Sequence, residues 1–509
     1  MTHQYIITID VGTSSTKTAL WDESGQLNTE TTFTYALYRP SPLWAEIDAN
    51  AWWQAVCQTT REVLARSGVH PSDVAGIGVD GVGWTLVPVD QQVEPLAPAM
   101  MWLDRRAQAE ADWLNALPDA QRLIKLDANP IDPAYITPKL LWLKHNQPTV
   151  FDATYQFLTA SGFIAARLTG EFTCDYTQAY GYHFFDIAHE RWDAATAQQI
   201  GLPLEKMPRL CSCSEIVGRV TAQAAEQLGL RAGIPVIAGC LDAAAGALGS
   251  GVTRLGQTNE QGGQAGGFAV SVSQVIVEPQ LIFSHHVLPN QYLLQAGTVG
   301  GGSLGWFRSI LGDSSSLSFE SLSQQADQSA AGSNGLIFLP YMAGERTPLW
   351  NSNARGVFFG LSYKTSRADL IRALMEGCAF AVRDNLAIAE AKGAVVTEYL
   401  ASGGATQSAV WCQIKADIYG KPLIVARRAD GGEGGHTLGL YALTAYAIGQ
   451  VDDIGACVER LLPNRQVFEP LAKHHALYEE LFGLYRNLSR KLLTDFEQLA
   501  ALNRRYNLE

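Results

Sequence analysis

The chain has 509 residues, 47% of them hydrophobic and 17% charged, with a net charge of −13. That length exceeds what one hydrophobic core usually organises, so two domains are expected. The negative balance argues against nucleic acid or an anionic membrane as the main partner, while local lysines and backbone amides can still hold a phosphate.

Residues 5–9 alternate as a strand that ends in Asp10, and Gly12 permits a tight turn before Ser15. Two readings fit the turn. One is a β-hairpin with a polar tip. The other is a cradle for nucleotide phosphate and Mg²⁺: Thr13 and Ser14 leave the backbone N–H groups open to an anion, Lys17 covers the same charge, and Asp10 offers carboxylate oxygen to the metal. No G-x-x-x-x-G-K-[ST] pattern occurs, so it is not a P-loop.

Further along, residues 21–27 read as a hairpin turn and 51–67 as a helix carrying Trp52, Trp53, Val56, Val63 and Leu64. A strand at 74–79 precedes Asp80-Gly81, and helices are predicted at 140–145 and 157–168. Residues 235–240 form a buried strand leading to Asp242 and an alanine-rich helix. Strands alternating with helices imply α/β layers. Near Gly256 a similar start follows, in which residues 259–270 make a glycine-rich turn that feeds a β-branched strand. This hints at a duplicated architecture with one phosphate loop per half; a plain flexible loop is the alternative. From residue 456 the chain reads as helical, with Leu477, Tyr478, Leu481, Phe482, Leu484, Tyr485 and Leu488 three and four apart. A packed cap is preferred over an oligomer contact for that face.

The eight cysteines are scattered, and only Cys211 and Cys213 are close, which is a poor zinc pattern; reduced thiols are expected. Residues 1–4 lack a basic or apolar leader, and no run of about 18 apolar residues occurs, so a cytoplasmic chain without a membrane span is expected.

Several segments in order resemble the FGGY family of carbohydrate kinases, and most of all its xylulokinase-like members. They are residues 10–17, 44–48 with Trp52-Trp53, 101–106, 138–143, 344–348, 356–376 and 402–417. The resemblance runs over essentially the whole chain. It implies an α/β fold with two ribonuclease-H-like domains of the actin/hexokinase type flanking a catalytic cleft. The expected divisions are an N-terminal domain at 1–249, a C-terminal domain at 250–455 and a helical extension at 456–509, with a hinge around residues 249–251. It also implies ATP-dependent phosphorylation of a small sugar with Mg²⁺, D-xylulose first, and a homodimer. Ribulose, gluconate, glycerol or another polyol is the alternative substrate. A regulator that binds sugar or nucleotide without turnover, and an actin-like ATPase, are readings from other classes.

The same resemblance distributes roles over the site. Asp242 is the expected base for the sugar hydroxyl, a role compatible with the N-cap that its place before a helix also suggests. Asp10 and Asp242 are the expected metal pair. Gly12, Thr13, Ser14 and Lys17 form one phosphate loop, and Gly262, Gly263 and Gln264 the opposing one. Gln264 stands where the family usually has threonine. Gly301 and Gly302 open a helix near the nucleotide, or only permit close packing. Gly403, Gly404, Ala405 and Ser408 are assigned to the adenosine. On the sugar side are Gly83, Trp84, Trp102, Asp104 and Arg106 with Asp242, and an ion pair is the plainer account of Asp104 and Arg106. Gly83-Trp84 replaces the Met-His pair usual in xylulokinases, and Ala243 replaces their asparagine. Two hydrogen-bonding contacts to the sugar are therefore missing from the expected pocket.

Overall fold

A computed structural model describes residues 4–311, 317–506 and 508, so residues 1–3, on which the expectation of no leader rested, lie outside the described residues. The first sheet contains β1 (Tyr5–Val11), β2 (Ser15–Trp21), β3 (Leu27–Thr34), β4 (Val74–Gly81), β5 (Ile216–Arg219), β6 (Pro235–Ile237) and β7 (Cys240–Leu241). Its order is β5-β6-β4-β1-β2-β3, with β7 also pairing β4. The second contains β8 (Gln257–Gly262), β9 (Ala265–Val272), β10 (Ile282–His285), β11 (Tyr292–Val299), β12 (Glu398–Ser402), β13 (Leu423–Arg427) and β14 (Asn464–Phe468), in the order β10-β11-β9-β8-β12-β13-β14. Each sheet starts as an antiparallel hairpin, β1–β2 or β8–β9. A parallel strand joins the other side of the first member, β4 or β12. The duplication is real.

Both hairpin-leading strands are central. β1 is apolar and buried along most of its length because layers cover both its faces. Helix α1 (Ala49–Ser67) lies on β2 and β3, burying Trp52, Val56 and Val63, with Asp48 capping its start. The other face is covered by a helix from the second half. α2 (Ile136–Asn146) belongs to the first half, α3 (Asp242–Gly249) joins the halves, and α4 (Gly302–Ile310), α5 (Arg367–Ala391), α6 (Ala409–Tyr419), α7 (Gly435–Ala447) and α8 (Ala472–Lys491) follow. α7 packs on α3 and reaches across to β1 and β4. A Cβ on Gly439 would lie 2.2 Å from the Ala245 carbonyl oxygen, so only glycine lets these two helices touch backbone to backbone.

Three predicted elements differ. Residues 235–240 are not one strand: β6 stops at Ile237, and Gly239 at φ +79° re-aims the chain into β7. A Cβ there would fall 1.7 Å from the Val79 carbonyl oxygen. Phe157 and Leu158 close a short strand, Gln156–Leu158, before the helix Ala160–Thr169 begins at its Thr159 cap. The extension from 456 is not all helical, because β14 pairs antiparallel with β13 and completes the second sheet. Its polar, exposed edge sequence carries no apolar alternation to announce it. α8 is a packed cap: Tyr478 and Tyr485 are fully buried, with Tyr478 donating 2.7 Å to Glu376 on α5 and the Tyr485 hydroxyl 3.0 Å from that of Tyr341. Among the described residues no helix is long and apolar enough to cross a membrane.

Candidate active site

The first hairpin, through Asp10 and Lys17, faces the second turn across a cleft of about 710 Å³ whose lining also includes Asp242, Gly263, Gln264 and His436, while Gly12, Thr13 and Ser14 stand outside that lining. In the first turn the Gly12 N–H donates to Ser15 O at 2.9 Å. The Tyr35 hydroxyl fixes the turn from outside, donating 2.7 Å to Gly12 O, and the Tyr35 N–H donates 3.0 Å to Ser14 O. Asp10 and Lys17 are direct cross-strand partners. The Lys17 ammonium is half-exposed, 3.9 Å from Glu30, and free to turn to a ligand anion. The Thr13 hydroxyl accepts 3.0 Å from the Trp102 indole, tying this loop to the sugar side.

The opposing turn, Gly262-Gly263-Gln264, rests on a buried ion pair. Lys415 on α6 lies 2.7 Å from Glu260 on β8, both almost fully buried, and Tyr419 donates to the same carboxylate at 3.3 Å. Gly301 and Gly302 turn out to be the supports of this loop. Their N–H groups donate to Gly263 O at 2.8 Å and Gln264 O at 3.0 Å, which leaves none for a phosphate. Gly403 lines the cleft, Gly404 stands in open space and Ala405 lies buried against Gly262. Ser408 is the N-cap of α6, accepting 3.0 Å from the Trp411 N–H, so its hydroxyl is engaged away from the cleft. Thr406, bonded to Glu433 at 2.8 Å, is one of the hydroxyl residues that line the cleft, with Ser402 and Thr437.

Four titratable groups meet on the floor. Asp242 opens α3, and its carboxylate accepts 2.6 Å from the Ala243 N–H. Burial, aided by the charge of Asp10 and opposed by His436, pushes its carboxyl up to about 6. Asp10 is held below the usual carboxylate range: burial alone would raise it, but His436, a hydrogen bond from Asp80 and Lys17 outweigh that. His436 Nδ1 is 3.2 Å from Asp10 Oδ2. Burial works against its charge, yet Asp10 and Asp242 raise it to about 9. Asp80 lies beside Asp10 in the parallel register, fully buried, with no N–H or hydroxyl donor on either oxygen. Burial and the charges of Asp10 and Asp242 push it well above the carboxylate range. A base must be ionised to act, so kcat/KM is expected to be level above pH 7 and to fall about tenfold per unit below pH 6. A pH–rate profile with a single acidic limb checks this.

The sugar-side residues separate into two groups. Trp84, at φ +49° and 5% exposed, packs tilted against Tyr135 with ring centroids 4.2 Å apart and against Tyr180 at 5.4 Å. Its indole N–H has no partner. Gly83 is required beside it, since a Cβ would meet both Leu241 and the Tyr180 hydroxyl at 2.7 Å. Trp102 carries the Arg346 guanidinium 5.1 Å over its ring. Asp104 and Arg106, by contrast, are spent on the frame. Asp104 is fully buried and accepts from the Ala45 N–H at 2.7 Å and from Arg106. Arg106 also pairs with Glu46 at 2.7 Å and stacks 3.6 Å over Trp44. They brace the Trp102 loop, and no free carboxylate oxygen of Asp104 remains for a hydroxyl.

Sequence reasoning did not name His436, Asp80, Tyr135, Tyr180, Arg346 or Lys139 as site residues. Lys139, fully buried on α2, donates 2.7 Å to both Trp84 O and Met101 O, so it fixes the two tryptophan loops; burial lowers its ammonium to about 7. For Asp80 a signal existed: an acidic residue closing an apolar strand repeats the pattern of Ile9-Asp10. His436 and the tyrosines come from segments distant in sequence, and no local pattern marks them.

The profile described as the N-terminal domain of the FGGY family of carbohydrate kinases matches residues 5–249, and that of the family's C-terminal domain matches 271–447. The chain is 34% identical to the xylulose kinase of Escherichia coli (strain K12) over 493 residues, 96% of this chain and 99% of that protein. It is 26% identical to the gluconokinase of Bacillus subtilis (strain 168) over 512 residues, 98% of each. Among solved structures, the xylulose kinase from Rhodospirillum rubrum superposes with a TM-score of 0.88 at 28% identity, covering 97% of this chain and 100% of that one.

Proposed function

The chain belongs to the FGGY family of carbohydrate kinases, and on that premise we propose that it transfers the γ-phosphoryl group of ATP to D-xylulose, giving D-xylulose 5-phosphate. The observation that carries this reading is Asp242, a carboxylate raised to about 6 on the cleft floor, within the field of Asp10 and beneath the opposing phosphate loops. The relative at 34% identity supplies the sugar's name.

Phosphoryl transfer asks the protein for position and charge rather than covalent chemistry. Asp242 accepts the proton of the attacking hydroxyl as the new bond to phosphorus forms. Lys17 and the amides of both turns, apart from that of Gly12, which is spent on Ser15 O, hold the β- and γ-phosphates. Trp102 presents an apolar face to the sugar carbons, backed by the buried Trp84, Tyr135 and Tyr180 rings, and the unpartnered Trp84 indole N–H offers a donor to a sugar oxygen. The donors on the floor fit Mg²⁺: Asp10 is held ionised and opens to the cleft, and Asp242 lies beside it. When bound, the ion neutralises phosphate charge, held by Asp10 directly or through water and by Asp242. Closure of the two halves about the α3–α7 contact excludes water from ATP.

A carboxylate-bearing acceptor such as gluconate is the second reading, favoured by Arg346. Its guanidinium lies over Trp102, with the buried Glu345 carboxylate as the neighbouring counter-charge. Coupled ADP release with D-xylulose, D-ribulose, D-gluconate and glycerol separates the two. D-xylulose is expected to give the highest kcat/KM. A higher value for gluconate replaces the sugar, and no acceptor-dependent ADP release with any of them removes the kinase reading.

A further inference from the structure

Asp10 has two neighbours that phosphoryl transfer leaves unused. The parallel register of β1 and β4 sets Asp80 at its side. Asp80 is fully buried, and neither of its carboxylate oxygens meets an N–H or hydroxyl donor. Its one hydrogen-bonding partner is the Asp10 carboxylate, so the buried pair must hold a proton between two carboxyl groups, and a cation is the partner that readily replaces that proton. From the other half of the molecule, His436 at the start of α7 brings Nδ1 to 3.2 Å from Asp10 Oδ2. Its ring also lies against α3, because a Cβ on Gly246 would be 2.6 Å from His436 Cδ2. One donor atom from each of Asp10, Asp80 and His436 lies within 4.8 Å of the other two.

We infer that Asp10, Asp80 and His436 form a three-ligand site for a divalent transition ion of the Mn²⁺ type, which loads without nucleotide. Ligands about 2.1 Å from one ion lie about 3 Å apart when adjacent and about 4.2 Å apart when opposite, so small side-chain shifts close this triangle on a single ion. Two carboxylates and an imidazole suit Mn²⁺, Co²⁺ or Zn²⁺ better than Mg²⁺, which prefers an all-oxygen shell. The site opens to the cleft through Asp10 and His436, whose side chains are 19% and 42% exposed. Because His436 comes from the second half and the carboxylates from the first, the ion bridges the two halves across the α3–α7 contact. This goes beyond the kinase reading and stands without it, since neither ATP nor sugar takes part.

The test is titration of the full chain with MnCl₂ alone, followed by electron paramagnetic resonance. Saturable Mn²⁺ binding without nucleotide is expected, with a ¹⁴N coupling from the imidazole in the pulsed spectrum. Asp80→Asn and His436→Gln are each expected to weaken binding by at least about tenfold, the scale on which even an outer-shell partner counts. His436→Gln alone removes the ¹⁴N coupling. Thermal melting controls for folding, and His436, being part-exposed, supplies the variant least exposed to that problem. Absence of nucleotide-independent binding, unchanged affinity in both variants, or absence of ¹⁴N coupling overturns the inference. If Mn²⁺ fails to bind while sugar phosphorylation proceeds with MgATP, this inference falls and the kinase reading stands; Mn²⁺ binding without any phosphorylation gives the reverse.

Discussion

Asp242→Asn is expected to lower kcat by about 10²–10⁴-fold, the range lost with a positioned general base, while the fold stays intact. The amide has the shape of the carboxylate and keeps an oxygen to accept the Ala243 N–H, now 2.6 Å away. What it lacks is the ability to take a proton from the sugar hydroxyl. ATP affinity is expected to change less than kcat, because the two phosphate turns and Lys17 do not depend on this side chain and Asp10 still holds the ion. Stability supplies a control with a definite sign. Burial raises the Asp242 carboxyl to about 6, so its contribution to folding is fully present below the unfolded value and is lost as pH rises through 6. An asparagine does not titrate. Melting temperatures at pH 8 should therefore be equal to wild type or higher, and a lower one assigns the loss of rate to unfolding instead.

The hairpin that opens the chain was legible because its chemistry is contiguous: an acidic strand end, a glycine, hydroxyl residues and a lysine within eight positions. The second turn was legible for the same reason, and the two sheets repeat the strand–turn–strand plan that those turns announced. The floor was not. Asp10, Asp80, Asp242 and His436 converge only because parallel pairing and the α3–α7 contact bring four distant segments together. On the sugar side, Asp104 and Arg106 form an ion pair that is buried rather than at the surface. Side-chain type alone cannot separate a carboxylate that awaits a hydroxyl from one already satisfied by Ala45 and Arg106. Glycine runs carry a similar ambiguity. Gly263 faces the cleft, while Gly301 stands behind it holding the Gly263 carbonyl.

Lys415→Met is the substitution expected to cost most in stability, about 3–5 kcal/mol. It leaves the Glu260 carboxylate buried with only the Tyr419 hydroxyl at 3.3 Å for company. For a half of this size the loss corresponds to a fall in melting temperature of about 10 °C. The double variant Glu260→Gln with Lys415→Met removes the stranded charge and is expected to recover most of the loss, since a buried pair is worth little more than its neutral replacement. The effect reaches the site, because the pair underlies Gly262. In the single variant KM for ATP is expected to rise as the second turn loosens. A melting temperature within 2 °C of wild type, a margin of about 1 kcal/mol, contradicts the assignment.

The most direct test of the central claim is mass balance in a single reaction. The full chain is incubated with MgATP and D-xylulose, and ADP and sugar phosphate are quantified by mass spectrometry. Equal amounts of ADP and a pentulose phosphate, with the phosphoryl on the 5-hydroxyl and none formed by Asp242→Asn, are the predicted result. ADP without sugar phosphate, or bound sugar and nucleotide with no turnover, would contradict it.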